Sequence, residues 1–208
     1  FIEMNNVDAY FTYANKTGTT PLVTTSEQDS LTYMAAEKQF MANNPEAVAQ
    51  LRLYLQQFPN GSFVLNANFY LAEALYNQGK YSESLEHYLY VTGQPMNAFT
   101  ETALEKGSEL LFNAKKYSQA LELYSQLETV SGNQWNRLKS MTGQMRCSFY
   151  LEKYQDAIDA AAKLRKAEKT TETILREASF ISGKSNYILG NYDQAMTGIK
   201  EAASETKT

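Results

Sequence analysis

Cysteine, histidine and tryptophan occur once each in the 208 residues, as Cys147, His87 and Trp135, and proline occurs only four times. A lone cysteine excludes an intrachain disulfide and a thiolate metal cluster. A lone histidine closes most zinc chemistry, and His87 has no serine or cysteine nucleophile with sequence support as its partner. There is no glycine-rich phosphate loop and no His-Glu zinc motif. No run of 18 apolar residues is present, so no membrane insertion by this segment is expected, and no signal-peptide pattern is visible. Charged residues make up 20% of the chain and the formal charge is -4, which argues against nucleic acid or an anionic membrane surface as partner. No catalytic residue, cofactor or metal is therefore expected, and the chain is not expected to be an enzyme.

What is abundant is aromatic and periodic. Fifteen tyrosines and ten phenylalanines stand within a 43% hydrophobic composition, so much of any core must be built from rings. The stretch from Asn68 to Val91 places Leu71, Ala72, Leu75, Tyr81, Leu85, Tyr88 and Leu89 at three- and four-residue steps, the helical period. Gly79 divides it into the two arms of a helical hairpin. The second arm recurs: Tyr81, Tyr117, Tyr154 and Tyr192 lie at steps of 36, 37 and 38 residues, each followed three positions on by a small residue (Ser84, Ala120, Ala157, Ala195). Extending backwards gives Ala47 and Ala9 as the same marker. Repetition at this period is the sign of a helical solenoid. The fold class is thus all-α, an α-solenoid of antiparallel helical hairpins, read as one domain over 1–208 with units at about 1–21 (partial), 25–61, 62–95, 97–132, 134–170 and 171–206. The pattern is already under way at Phe1, which reads as part of a longer chain.

In order, a second-type helix is expected over 6–16, then helices from Thr25 to about Met41 (with Thr25 and Gln28 as a capping box), Pro45 to Phe58, Ser62 to Gln78, Tyr81 to Val91, and Phe99 to Ala114. Tyr117 to Glu128, Gln134 to Glu152, Tyr154 to Glu168, Thr171 to Leu189 and Tyr192 to about Glu205 follow, the last short, polar, interrupted by Gly198 and expected to fray. Twelve residues before each second-helix small residue stands a first-helix partner: Ala35, Ala72, Ser108, Met145, Gly183. Small residues on both sides allow close crossing, and Met145 predicts a wider or rotated one. The tyrosines are expected to plug the turn end of each hairpin with the hydroxyl in water. His87 reads as exposed or loosely packed, and Cys147 as a buried small hydrophobe.

Leu71-Ala72, Gly79, Tyr81, Ser84 and Tyr88, with Pro59 and Pro21 twelve residues after Ala47 and Ala9, resemble the tetratricopeptide-repeat family over roughly Asn6 to Ala202. The strict Leu-Gly pair is missing, and the steps exceed the family's usual 34 residues. The resemblance implies a right-handed superhelix whose inner wall is lined by first helices. It places Asn66, Phe69, Glu73, Tyr76, Asn77, Glu105, Glu109, Asn113, Arg146, Tyr150 and Lys184 on that wall, a groove acidic in the middle and basic toward the C-terminus. The implied function is non-catalytic binding of a protein or peptide segment in the concave groove. Alternatives are a structural spacer or oligomerisation arm, and a glycan-binding accessory module, for which Tyr76 with Asn77 and Trp135 with Asn136 are the places to look. The family's lysine-asparagine clamp for a C-terminal carboxylate is not expected, because its lysine positions fall on Phe69, Asn77, Glu105 and Asn113. The run YLQQFPNGSFVLNANFYLAEALYNQGKYSES is also similar to repeats of Bacteroides-like bacterial cell-envelope proteins. That implies a periplasmic or outer-membrane-associated location in a Gram-negative bacterium, with the cytoplasm as alternative.

Overall fold

A computed structural model of the chain describes residues 9, 11–13, 16 and 24–204. Among the described residues the secondary structure is entirely helical, and from residue 24 onward ten helices follow one another as hairpins. The chain divides into two compact units, 1–99 and 100–208. The helix expected over 6–16 lies largely outside the described residues.

In the first unit, α1 (Thr25–Met41), α2 (Ala47–Gln57), α3 (Val64–Asn77) and α4 (Tyr81–Thr92) pack in succession, and α1 also touches α3. The capping box at the start of α1 is one residue earlier than expected. Thr24 Oγ1 accepts from Glu27 N–H, and Glu27 Oε2 accepts from Thr24 N–H at 2.7 Å. Either threonine could cap; Thr24 has the acidic residue three positions on that the reciprocal bond needs. Pro45 sits in the preceding turn, and α2 begins at Ala47. The core joins Tyr33, Val48, Leu51, Tyr54, Leu71 and Leu75. Buried Asp29 accepts from Tyr54 Oη (2.6 Å) and Ser62 N–H (2.7 Å), while Tyr54 Oη accepts from Phe63 N–H (3.1 Å). This small network fastens the 58–63 loop, and a Cβ on Gly61 would collide with both side chains.

The second unit comprises α5 (Thr100–Asn113), α6 (Tyr117–Val130), α7 (Gln134–Tyr150), α8 (Tyr154–Lys166), α9 (Glu172–Ile188) and α10 (Tyr192–Ala203). Besides the sequential contacts, α5 touches α7 and α7 touches α9, whereas α6, α8 and α10 make no contact of comparable extent with one another. First helices side by side with second helices splayed bend this unit toward its first-helix face.

Asn43 and Asn44 close α1 with a left-handed Schellman turn, and the four turns that lead into a tyrosine are built in the same way. In the first, Lys80 N–H bonds to Leu75 O and Gly79 N–H to Tyr76 O, the paired bonds of a Schellman cap, with Gly79 left-handed at φ 74°. The same bonds recur at Lys115/Lys116, Glu152/Lys153 and Gly190/Asn191. Glycine fills the left-handed position twice; Lys115 and Glu152 occupy it at φ 60°. Each turn is plugged by the tyrosine two residues on, as expected. Each tyrosine meets the ring five residues before it: Tyr76–Tyr81, Phe112–Tyr117, Phe149–Tyr154 and Tyr187–Tyr192, with centroids 5.2, 5.4, 5.9 and 5.8 Å apart.

The small-residue crossings are buried throughout: Ala35, Ala72, Ser108 and Gly183 on first helices, Ala47, Ser84, Ala120, Ala157 and Ala195 on second ones. Ser84 Oγ donates to Ala72 O at 2.8 Å across one of them. Met145 is fully buried in a cluster with Ala157, Ala161 and Leu164, so the bulk on α7 is met by alanines on α8. Gly198 is no weak point of α10. It is buried against α9, where an added Cβ would lie 2.9 Å from Ser179 O and 3.0 Å from the Gly183 backbone. The helix runs to Ala203, and 205–208 lie outside the described residues.

Candidate functional site

The first-unit residues expected on the inner wall, Asn66, Phe69, Glu73, Tyr76 and Asn77, all lie on α3. Most are engaged in packing. Phe69 stacks on Phe99 at 4.3 Å and meets Tyr88 edge-on. Glu73 accepts from Tyr88 Oη at 2.5 Å, and burial together with that carboxylate pushes the Tyr88 hydroxyl far above its ordinary range. Tyr76 meets both Tyr81 and Tyr88. Asn66 is half-buried and Asn77 exposed. His87 is half-buried rather than loose, its Nδ1 2.8 Å from Asn68 Oδ1. The signal for this was Asn68, on the α3 face turned to the partner helix.

In the second unit α5, α7 and α9 bring Glu105, Glu109, Asn113 and Arg146 around one cavity of about 460 Å³, with Phe112, Trp135, Asn136 and Lys139 also lining it. Trp135 is 61% exposed. It follows the α7 N-cap, where Asn133 Oδ1 accepts from Trp135 N–H, so the indole is held at a helix start. The floor is Tyr124 against Gly143: a Cβ at 143 would overlap the tyrosine ring. Burial raises the Tyr124 hydroxyl to about 12, and the neighbouring buried Cys147 thiol, also by burial, to about 12.

The charges on this wall are paired. Lys139 Nζ lies 2.9 Å from Glu105 Oε1 and 2.6 Å from Glu109 Oε2. Burial disfavours the Lys139 charge, but its bonds to Glu109 and Glu105 outweigh that and hold its pKa above the usual value. Arg146 donates to both oxygens of Glu177 at 2.6 and 2.7 Å, and this bidentate bond raises the guanidinium still further. Glu101, the first of the four-apart glutamates on α5, accepts from Ser131 Oγ and from Asn136 Nδ2 (2.8 Å), which lowers its carboxyl. The acidic strip of α5 is thus a seam bonded to α7, and the four lining charges Glu105, Glu109, Lys139 and Arg146 cancel. Sequence reasoning placed Glu105, Glu109 and Arg146 on the wall but did not pair them with Lys139 and Glu177. The signal was a set of opposite charges about one repeat apart.

Tyr150 is outside this cavity's lining, stacked on Tyr117 at 4.7 Å and tilted against Phe112. Lys184 is exposed on α9, its Nζ 5.3 Å from the Phe149 ring centroid and 5.6 Å from that of Phe180. Among the described residues no group of three or more His, Cys, Asp or Glu could hold a metal ion, and no helix is long and apolar enough to cross a membrane.

No protein-family model matches the chain, and no curated protein matches it. Solved structures do. YrrB, described as a TPR protein with an unusual peptide-binding site, aligns at TM-score 0.62 and 12% identity over 94% of this chain and 91% of its own. The 41-end form of MamA from Desulfovibrio magneticus RS-1 aligns at 0.56 and 15% over 86% of this chain and 94% of that one. A tetratricopeptide repeat protein from Parabacteroides merdae ATCC 43184 aligns at 0.57 and 16% over 84% of this chain and 65% of that one. At these identities the likeness is one of fold alone, a TPR-like helical repeat.

Proposed function

We propose that the chain is a non-catalytic scaffold that binds an extended peptide segment on the first-helix face of its second unit. The observation that carries this is the cavity between α5 and α7. It combines an exposed indole, a half-buried phenylalanine, the exposed amide of Asn113, and two cation–carboxylate sets held on rigid helices. An aromatic anchor beside fixed polar groups is what binding hot spots are made of. Because the wall charges are already paired, a strongly charged peptide gains little net attraction. The ligand best suited is an extended mixed polar–apolar segment with a bulky side chain to meet the exposed Trp135 indole at one end of the cavity. Glu105, Glu109, Asn113 and Arg146 would contribute the polar contacts. The α3 residues Asn66, Phe69, Glu73, Tyr76 and Asn77 extend the proposal to the first unit, where exposed Asn77 is the freest of them to meet a ligand.

A bacterial envelope location is proposed on the resemblance of the run Tyr54–Ser84, and fractionation of the native cell tests it.

Trp135, the single tryptophan, reports directly on the cavity. Peptides selected on the chain from a random display library should shift its fluorescence emission on binding. They should lose about ten-fold or more in affinity against a Trp135→Ala, Asn113→Ala variant. Selected peptides that leave the emission unchanged and bind the variant equally would overturn the reading.

A further inference from the structure

Aligning the hairpins of the second unit on Tyr117, Tyr154 and Tyr192 makes Glu109, Arg146 and Lys184 equivalent, each eight residues before its tyrosine. Lys139 and Glu177 are likewise equivalent, fifteen residues before theirs. Two of the ion pairs between neighbouring first helices are therefore one pair with its signs exchanged: Glu109 of α5 with Lys139 of α7, then Arg146 of α7 with Glu177 of α9. At the third step the outgoing position is Lys184. Among the described residues it has rings below it and no carboxylate paired with it.

The same alignment defines the apolar half of the joint. Tyr124, seven residues after its tyrosine, takes Gly143 of α7, and the equivalent Ala161 shares a core cluster with Ile181 of α9. Large meets small, then small meets large. The third residue of this series, Ile199, is 40% exposed. It borders a recess of about 430 Å³ with Tyr187, Tyr192, Met196, Lys184 and Lys200, and no acidic side chain lines it. Tyr117, which Tyr150 of α7 covers, has its counterpart in Tyr192, 66% exposed. The end face of α9–α10 thus repeats, residue by residue, the faces that α7 and α9 cover, and it is rimmed by lysine.

We infer that this face docks an amphipathic α-helix supplied by a partner protein, with a carboxylate at position i for Lys184, a small or medium apolar residue at i+4 for Ile199, and a bulky apolar residue at i+11 for Tyr192. The spacings are those of Lys139, Gly143 and Tyr150, and of Glu177, Ile181 and Ile188. Three turns of helix keep all three on one side. This inference does not depend on the peptide reading, which concerns the inner wall.

The peptide Glu172–Ile188 carries the required pattern in Glu177, Ile181 and Ile188, so a fluorescent copy of it is the probe, titrated against the whole chain by anisotropy. The expected result is saturable binding, weakened about three- to ten-fold by Glu177→Lys in the peptide or by Lys184→Glu in the protein, and recovered when both are present. The doubly exchanged pair reproduces the signs of Glu109 and Lys139. Lys184 is exposed, and far-ultraviolet dichroism and melting of the variant confirm that it folds. Absence of binding in every combination, or binding indifferent to both reversals, would overturn the inference. Dependence on Arg146 with no dependence on Lys184 would mean that the peptide has exchanged with α9 in place, and would overturn it too. Sedimentation showing self-association abolished by Met196→Glu would do the same, because the occupant would then be a second copy of this chain.

Discussion

Lys115 and Glu152 hold the left-handed position that glycine holds at 79 and 190, and a Cβ there costs about 1 kcal/mol. Glu152→Gly should therefore stabilise the chain by about that amount, read as a rise in the denaturation midpoint, while Gly190→Ala should lower it by a similar amount. His87 offers a second test at this scale. Burial holds its imidazole below the ordinary 6.5, outweighing the opposing pull of Glu86. Between the lowered native value and 6.5 the unfolded chain binds a proton that the native chain does not. The contribution to stability is thus complete above about pH 6.5 and declines as pH falls toward the native value. As the only histidine, its ring protons can be followed by NMR without assignment, and a midpoint at or above 6.5 would contradict the buried placement. The left-handed lysine and glutamate were not legible in advance, because hairpin turns tolerate many residues, and the only mark of the buried ring was Asn68, nineteen positions away on another helix.

At the scale of elements, the helix boundaries expected from period and turn residues agree with the structure within about two residues from Ser62 to the last helix. Both signals are local there, being tyrosine after a Schellman turn and a small residue three positions on. Gly198 was misread for the same reason, since glycine within a helix is unfavourable until its neighbour across the crossing is known. Its Cβ would meet backbone atoms of α9, which cannot rotate away as a side chain can. Gly198→Ala should accordingly cost about 1–3 kcal/mol despite the higher helix propensity of alanine, whereas exposed Thr197→Ala should be near neutral. Thermal denaturation of the two variants separates packing from propensity.

For the molecule as a whole, the repeat architecture was legible because one pattern is written at least four times, and the candidate wall was legible only as a set of positions. Which of those side chains are engaged depended on contacts between repeats. Phe69 is covered by Phe99, Arg146 is held by Glu177, and the glutamates of α5 are held by Lys139. An expected acidic-to-basic gradient consequently resolves into alternating pairs. That alternation acts as a parity rule on the order of the modules. Arrays of similar repeats are prone to gain or lose a unit by unequal exchange, and removal of residues 117–153 would leave a plausible hairpin series. It would also set Glu109 and Glu105 against Glu177. Such a shortened chain should be less stable than loss of one repeat interface alone accounts for, and Glu177→Lys should restore part of the difference in its melting temperature. The full-length chain should instead be harmed by that same substitution. Sign exchange between neighbours thus makes each module recognise its rightful successor, a form of proofreading against shuffled copies of itself.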